Sequence, residues 1–396
     1  MTSFIHTADW QIGKPYLQIS DEQKRFKLKQ ERLNVISRIS EVINKESLHF
    51  VLIAGDLFDS PTPSISVVAE VLELIGQMEV PVLAIPGNHD HGALGTIWHS
   101  DDFIRYQEQM APNFSLLLER KPVELESAFI FPCPLLRNKD TIDPTTWLRN
   151  LDWSKYSSNK AKIVLAHGAI QQFGGRDYSL DDDAQSSLTN LIDLDALSKT
   201  EIDYIALGDW HNLKKLSDNA WYSGTPEPDR FDQGENNQRG QILKVDVIRD
   251  SPILVRPIST GRIQWHNLTF KFNTDNDLMR LEKKIEQLIS GRVLRDLLRI
   301  QISGGLSLSA YKRYQLLMGD LDKRLLRLRI KGECFQNPGL DEIEDLTRRF
   351  EDPLISQVAS QLQERLKSQK DLNSYDSSIL RVALCELYRF ALGPMS

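Results

Sequence analysis

The stretch that decides the fold is VPVLAIPGNHDH, residues 80–91. Its first six residues form an apolar run rich in Val and Ile, which predicts a buried parallel strand. Gly87 then permits a sharp turn that places residues 88–90, Asn-His-Asp, at the carboxyl end of this strand. In open α/β sheets, the groups that bind or transform ligands collect at this edge.

Strand and helix patterns alternate on both sides of this stretch. Apolar runs at residues 3–8 and 49–54 predict two earlier strands, and apolar residues recur at helical spacing between the strands. Similar runs at 162–166 and 203–207 predict two later strands. This alternation is typical of an α/β fold in which helical crossovers connect parallel strands.

Length and composition are those of an ordinary globular protein. The chain has 396 residues, of which 41% are hydrophobic and 26% charged, and it contains no apolar run long enough to span a membrane. Its three cysteines form no CxxC pair, which is typical of reduced thiols. The first residues do not resemble a secretion signal, so we expect a cytoplasmic protein without a membrane partner.

Charge is unevenly distributed along the chain, whose net charge is −7. Residues 1–260 carry 26 Lys and Arg against 37 Asp and Glu, whereas residues 261–396 carry 22 against 18. An acidic first part is unusual for a nucleic-acid binder unless cations offset it. Composition alone therefore does not indicate DNA as a ligand.

The patterns also suggest three parts of the chain. Residues 1–264 contain the α/β pattern described above. Residues 265–337 alternate between strand and helix patterns, which predicts a small α+β cap domain, and residues 338–396 predict a tail of two or three amphipathic helices. This tail could dock on a partner or cover the cap domain, and the sequence leaves both possibilities open.

Five predicted strand ends carry side chains that can bind divalent metal ions. Carboxylates, imidazoles and amide oxygens suit ions such as Mn²⁺, Mg²⁺ or Zn²⁺. Two such ions about 3.5–4 Å apart can hold a hydroxide and a phosphate oxygen for in-line attack. Any one of these residues could instead be a helix N-cap, but jointly they favour a metal site. The residues are Asp9, Gln11, Asp56, Asn88, His89, Asp90, His167, Asp209 and His211.

The motifs at these strand ends resemble those of the calcineurin-like metallophosphoesterases. They are DxQ at 9–11, GD at 55–56, GNHD at 87–90, AHG at 166–168 and GxxH at 208–211. Longer stretches around them resemble the SbcD-type DNA repair exonucleases. These stretches are HTADWQIGK at 6–14, LIAGDLFD at 52–59 and YSGTPEP at 222–228.

The resemblance implies a four-layer sandwich, in which two mixed β-sheets lie between helices, and a centre with two metal ions. His89 would contact the phosphate and protonate the leaving oxygen, with Asp90 orienting its ring. The ligands of the first ion would be Asp9, Gln11, Asp56 and His211, and those of the second Asp56, Asn88, His167 and Asp209.

Two positions depart from the family pattern, which has His where this chain has Gln11 and Asp209. Gln binds metal weakly through its amide oxygen, whereas Asp is a good oxygen ligand that adds a negative charge. The two changes together favour Mn²⁺, or Mg²⁺, over zinc. They could also lower the affinity of the first site.

The resemblance further implies a two-metal phosphodiesterase that cleaves DNA, as a homodimer in complex with an SMC-like, SbcC-type ATPase. The sequence has no GxxxxGK[ST] phosphate loop, so an ATP-dependent step would belong to another protein. Two alternatives stay open. One is a phosphodiesterase for a small molecule such as a cyclic nucleotide, and the other is an interaction module whose site decayed at Gln11 and Asp209.

Basic residues outside the motifs are candidate DNA contacts. Residues 292–331 include ten basic residues and three acidic ones. Clustered cations suit a phosphate backbone, although exposed helix faces are often basic without binding any ligand. The candidates are Lys14, Arg292, Arg295, Arg299, Arg324, Arg327 and Arg329.

Overall fold

The chain divides into two compact units, Met1–Gln264 and Trp265–Ser396. The computed structural model of the protein describes residues 1–157, 159–170, 189–198, 200–232, 238–248, 251–336, 339–368 and 374–392.

The first unit is built from short strands and three α-helices among its described residues. The strands are β1 (Thr2–Thr7), β2 (Phe50–Ala54), β3 (Val82–Ile85), β4 (Phe114–Leu116), β5 (Val123–Glu124), β6 (Ala128–Cys133), β7 (Ala161–His167), β8 (Ala169–Ile170), β9 (Leu191–Ile192), β10 (Tyr204–Gly208), β11 (Lys214–Lys215), β12 (Ala220–Tyr222), β13 (Gln241–Val247) and β14 (Leu254–Ser259). The helices are α1 (Glu22–Lys45), α2 (Ile65–Gly76) and α3 (Asp101–Met110).

Two six-stranded mixed sheets organise this unit. Their strand orders are β14-β13-β1-β2-β3-β4 and β11-β12-β10-β7-β6-β5. Strands β1 to β4 run parallel, as do β6, β7, β10 and β12, and antiparallel strands complete each sheet. The predicted α/β class is confirmed, and β1, β2, β3, β7 and β10 are the five strands expected from the apolar runs.

Apolar side chains from both sheets fill the space between them. Phe4 and Phe50 of the first sheet stack at 5.0 Å and lie in one core cluster with Ile163 of the second. Helices α1 to α3 cover the outer face of the first sheet. The outer face of the second sheet packs against 3₁₀ turns at Thr146–Asn150 and Trp153–Lys155. The predicted four-layer sandwich is therefore confirmed, with 3₁₀ turns in its fourth layer among the described residues.

The second unit contains a small sheet, in the order β15-β16-β17 with β18 beside β16, and α4 and α5 pack on one face of it. A helical C-terminal region follows, as predicted, and its three helices share a small apolar core. Of the helices formed by described residues, none is long and apolar enough to cross a membrane. The elements are β15 (Gln264–Phe272), α4 (Asp277–Ile289), β16 (Asp296–Leu306), α5 (Leu308–Arg324), β17 (Arg327–Gly332), β18 (Phe335–Gln336), α6 (Leu340–Thr347), α7 (Pro353–Ser368) and α8 (Ser374–Leu392).

Helix α1 carries a buried cation that supports the turn after β1. The helix begins after Asp21, whose carboxylate accepts hydrogen bonds from the backbone N–H groups of the first turn. Arg32, 1% exposed, donates to the carbonyl oxygens of Gln11 at 3.2 Å and Glu227 at 3.0 Å, and to Thr225 Oγ1 at 3.1 Å. One guanidinium thus holds α1, the turn after β1 and residues 225–227 together.

Replacing Arg32 with Met should destabilise the first unit. The change leaves several buried oxygen acceptors without a donor, at a cost of about 3 kcal/mol in the free energy of unfolding. Urea unfolding followed by tryptophan fluorescence measures this, because every tryptophan except Trp265 lies in the first unit. Lys29→Met, on the exposed side of the same helix, is the control and should change stability by less than about 0.5 kcal/mol. Equal stability of both variants would contradict the role given to Arg32.

Candidate metal centre

Residues at the carboxyl ends of five strands, drawn from both sheets, come together in the first unit. Asp9, Asp56 and Asn88 follow β1, β2 and β3 of the first sheet. His167 ends β7 and Asp209 follows β10 of the second sheet. Ligand atoms of Asp9, Asp56 and His167 all lie within 4.8 Å of one another, and all three residues are buried. Two sheets thus contribute to a single cluster.

The backbone of four predicted ligands lies in the left-handed region. The φ angle is 54° at Asp9, 43° at Gln11, 55° at Asp56 and 105° at Asp209. Non-glycine residues rarely adopt such angles, which cost about 1–3 kcal/mol each and concentrate at functional sites. Backbone hydrogen bonds hold the turns in place, since Asp9 N donates to Gly55 O at 3.1 Å and Gln11 N to Asp56 O at 2.8 Å.

Oxygen atoms surround the buried imidazole of His167. Its Nδ1 donates to the carbonyl oxygen of Ala54 at 2.8 Å. Its Nε2 lies 2.8 Å from Asn88 Oδ1, 3.7 Å from Asp56 Oδ1 and 3.8 Å from Asp209 Oδ1. Burial would lower the pKa of His167, but the charge of Asp56 and of the other carboxylates outweighs it and raises the pKa to about 9. This donor set fits a divalent ion, which would take the place of the Nε2 proton.

Three glycines of the predicted motifs leave room for these side chains. A Cβ atom on Gly55 would clash with His167 Nδ1, and one on Gly208 would lie 2.8 Å from the same atom. A Cβ atom on Gly87 would clash with Asp56 Oδ1. The motifs need glycine here because the backbone passes directly against the ligand side chains.

The predicted ligands around His211 are arranged differently. His211 Nδ1 lies 2.8 Å from the carboxylate of Asp229, which can only accept, so Nδ1 carries the proton and Nε2 a lone pair. Burial lowers the pKa of His211 to about 4, so the ring is neutral. Gln11 Nε2 lies 3.4 Å from His211 Nε2 and 3.5 Å from Asp56 Oδ2, while Gln11 Oε1 accepts from Lys14 Nζ at 2.7 Å. The amide nitrogen of Gln11, not its oxygen, therefore faces the predicted site.

His89 lies at the solvent side of the centre, with 40% of its side chain exposed. Its Nδ1 is 3.2 Å from the carbonyl oxygen of Asp59, and its Nε2 is 3.9 Å from Asp56 Oδ2. Burial would lower the pKa of His89, but the charges of Asp56 and Asp59 outweigh it and raise the pKa above its usual value. An accessible imidazole whose protonated form is favoured in this way can act as a general acid.

Asp90, the predicted partner of the His89 ring, forms its hydrogen bonds elsewhere. Its carboxylate accepts from the backbone N–H of Gly87 at 2.7 Å and of Phe58 at 3.1 Å. Asp90 therefore joins the turns after β2 and β3, and the expectation that it orients the His89 ring is wrong. Neighbouring residues in a tight turn can point to different sides, and here Asp59 lies beside the ring instead.

The family model of the calcineurin-like phosphoesterases matches residues 2–248. The chain belongs to the calcineurin-like phosphoesterases. Proteins of this family are hydrolases that use divalent metal ions, and the cluster of Asp9, Asp56 and His167 is the candidate metal site of this member.

Two relatives of this phosphoesterase have names that refer to nuclease or repair activity. The SbcD component of nuclease SbcCD from Staphylococcus epidermidis is 23% identical over 281 residues, which cover 64% of this chain and 70% of that protein. The DNA double-strand break repair protein Mre11 of Methanosarcina acetivorans is 24% identical over 351 residues, which cover 83% of this chain. The match spans 50% of the length of Mre11.

Among solved structures, GAP50, the anchor in the inner membrane complex of Plasmodium, matches this phosphoesterase at 14% identity with a TM-score of 0.36. The match covers 65% of this chain and 84% of that one. The likeness is too distant to support a conclusion about function.

Three of the predicted DNA contacts lie on one face of the sheet in the second unit. Parallel pairing places Arg299 of β16 opposite Arg329 of β17. Arg327 precedes Arg329 by two residues along β17 and therefore lies on the same face. Leu298 and Leu328 alternate with these arginines and pack on the side of α4 and α5. The arginines therefore share the face that those two helices do not cover. We call this face, with Arg299, Arg327 and Arg329, the basic sheet face.

The other candidates in this unit lie outside that basic sheet face. Arg292 Nε donates to Asp296 at 3.1 Å, and Arg324 pairs with Glu286 at 3.0 Å. Arg295 is exposed in the turn that precedes β16. The structure thus groups three of the arginines and separates the remaining three.

Sequence reasoning missed residues that support the ligands. Asp229 holds the ring of His211, Asp59 lies beside His89, and Arg32 supports the turn after β1. Lys14, a candidate DNA contact, donates from its ammonium to the side chain of the predicted ligand Gln11. The one available signal was position, since Asp59 ends LIAGDLFD and Asp229 directly follows YSGTPEP, two stretches that carry the family resemblance.

A Gly87→Ala substitution should disrupt the metal centre. The added Cβ would displace the Asp56 carboxylate and would lie 2.8 Å from His167 Cε1, so we expect Mn²⁺ affinity to fall by about 10- to 100-fold. Equilibrium dialysis with metal analysis measures the loss. Gly319→Ala is the control, because a Cβ there meets nothing within 4 Å in helix α5. Unchanged affinity in Gly87→Ala would refute the close packing.

Metal binding should release protons at neutral pH. Burial raises the pKa of Asp9 from 3.8 to about 8, and His167, with a pKa of about 9, also keeps a proton in the folded, metal-free protein. The unfolded chain loses both protons at lower pH, so the metal-free protein should lose stability through Asp9 from about pH 4 to 8 and through His167 from about pH 6.5 to 9. The fall should be steepest where the two ranges overlap, between about pH 6.5 and 8.

Calorimetry in buffers of different ionisation enthalpy counts the protons released. We expect between one and two per Mn²⁺ ion at pH 7, with Mn²⁺ affinity rising with pH. Thermal unfolding in EDTA should show a Tm that declines over the same interval, and saturating Mn²⁺ should remove the decline. Proton-independent binding at pH 7 would contradict the protonation of His167 and Asp9.

Proposed function

We propose that this phosphoesterase is a two-metal phosphodiesterase that cleaves DNA. The main support is the position of the Asp56 carboxylate. Its Oδ1 faces His167 Nε2 at 3.7 Å, whereas its Oδ2 faces Gln11 Nε2 at 3.5 Å. A carboxylate with one oxygen toward each ligand set is suited to bridging two ions.

The two ligand sets are those that the motifs predict. Two divalent metal ions held by these sets would neutralise phosphate charge and supply a hydroxide at neutral pH. Carboxylate, amide and imidazole donors favour Mn²⁺, or Mg²⁺, over zinc. The sets are Asp9, Gln11, Asp56 and His211 for the first ion, and Asp56, Asn88, His167 and Asp209 for the second.

His89 is the proposed general acid. Its exposed ring can reach a bound phosphodiester, and the charges of Asp56 and Asp59 raise its pKa and so favour its protonated form. It would give its Nε2 proton to the leaving oxygen, since Nδ1 faces the carbonyl oxygen of Asp59. Asp90 contributes indirectly, because it joins the turns that carry Asp56 and His89.

DNA is the proposed substrate on two grounds. The relatives SbcD and Mre11 are named as a part of a nuclease and as a DNA repair protein. The basic sheet face of Arg299, Arg327 and Arg329 presents clustered cations of the kind that contact a phosphate backbone. These arginines are the proposed DNA contacts.

An SMC-like, SbcC-type ATPase and a homodimer are the proposed assembly. The resemblance to SbcD-type proteins supports both, and the lack of a phosphate loop in this sequence agrees with an ATPase on another chain. The helical C-terminal region is the proposed docking segment for that ATPase, and residues 265–337 are the proposed cap.

Asp56→Asn and His89→Asn test the proposed reaction. End-labelled duplex DNA with Mn²⁺ is the substrate, beside bis-p-nitrophenyl phosphate and a cyclic nucleotide. Asp56→Asn should lose both bound metal and cleavage. His89→Asn should keep its metal and slow DNA cleavage by about 10²- to 10⁴-fold.

Lys121→Met is the matched control, because Lys121 is 67% exposed and pairs with Glu119. It should cleave at the wild-type rate. Hydrolysis of the cyclic nucleotide without DNA cleavage would replace the proposal with a small-molecule phosphodiesterase. A wild-type protein that cleaves none of the three substrates would favour the interaction module.

A further inference from the structure

Lys14 and Gln11 form a contact that the metal ligands alone do not explain. Lys14 Nζ donates to Gln11 Oε1 at 2.7 Å and lies 3.7 Å from both Asp59 Oδ1 and Asp229 Oδ2. The Lys14 side chain is 24% exposed, so it is in partial contact with solvent beside the predicted ligand Gln11. An ammonium only donates hydrogen bonds, and it therefore selects the oxygen end of the Gln11 amide.

The opposite end of the amide is fixed independently. Asp229 accepts the Nδ1 proton of His211, so His211 Nε2 is an acceptor and matches the amide nitrogen of Gln11 at 3.4 Å. The Asp56 carboxylate, 3.5 Å from the same nitrogen, is an acceptor as well. The reversed amide would place its oxygen against two acceptors and its NH₂ group against an ammonium. One orientation therefore satisfies every neighbour.

We propose that Lys14 and Gln11 together weaken the first metal position, so that this chain binds one divalent ion firmly and a second much less firmly. The inference rests on the ligand sets of the proposed function. The firmly bound ion would occupy the position near His167 Nε2, which oxygen atoms of Asn88, Asp56 and Asp209 surround. A second ion, between Asp56 and His211, must displace the NH₂ group of Gln11 and bind close to the charge of Lys14.

This arrangement makes Lys14 a determinant of metal stoichiometry. The Lys14 ammonium supplies positive charge beside Asp59 and Asp229 when the first position holds no ion. Removing that charge frees the Gln11 amide to turn its oxygen toward the site. A histidine at position 11 would present a ring nitrogen that can bind the second ion, in place of the amide NH₂ group that cannot.

The test counts Mn²⁺ ions on the full chain and does not depend on catalysis. Equilibrium dialysis over a range of free Mn²⁺, with metal analysis, measures the two affinities, and electron paramagnetic resonance detects a spin-coupled pair. The wild type should bind its second ion at least about tenfold more weakly than its first. Lys14→Met and Gln11→His should each strengthen second-ion binding by about 10- to 100-fold and produce the coupled signal at lower Mn²⁺.

Lys14→Gln provides a second variant without the charge if Lys14→Met folds poorly, and Lys121→Met controls for loss of a distant lysine. Two ions bound with equal affinity in the wild type, or no change in Lys14→Met and Lys14→Gln, would overturn this inference and leave the proposed function intact. A wild type that binds no Mn²⁺ would overturn the proposed function together with the inference.

Discussion

The buried carboxylate of Asp56 is the group on which the rest of the centre depends. Burial alone would raise the pKa of Asp56, but the charges of His167 and His89, with the backbone N–H of His89, outweigh it and hold the pKa below its usual value. An ionised group that is 2% exposed is stable only among cations and hydrogen-bond donors. The two histidines and the amide of Gln11 meet that requirement, and a divalent ion would meet it more completely.

The fold serves this requirement by bringing strand ends from two sheets to one place. Backbone hydrogen bonds join the turns after β1 and β2, and the Asp90 carboxylate joins those after β2 and β3. Arg32 holds the turn after β1 from the helix side. Several ligands can keep a left-handed backbone conformation because these hydrogen bonds stabilise each turn by more than the strain costs. Rigid turns of this kind hold ligands in place before an ion arrives.

Much of the fold and of the cluster could be predicted from local sequence. Apolar runs predicted β1, β2, β3, β7 and β10, because a strand buried on both faces needs a continuous apolar segment. Local sequence did not predict how closely the backbone of the motif glycines approaches His167 and Asp56, which only the packed structure shows. The role given to Asp90 was wrong because adjacency in sequence says little about the direction in which each side chain of a tight turn points.

The sequence by itself determined which residues could hold metal, since an α/β pattern with polar residues at its strand ends brings those ends together. Only the tertiary structure decided how each side chain is used. Asp229 and Gln11 lie far apart in sequence, yet hydrogen bonds through His211 and a shared neighbour, Lys14, set the direction of the Gln11 amide. The reason is physical: a hydrogen bond depends on which atoms meet across the folded chain, and residue types alone do not specify that.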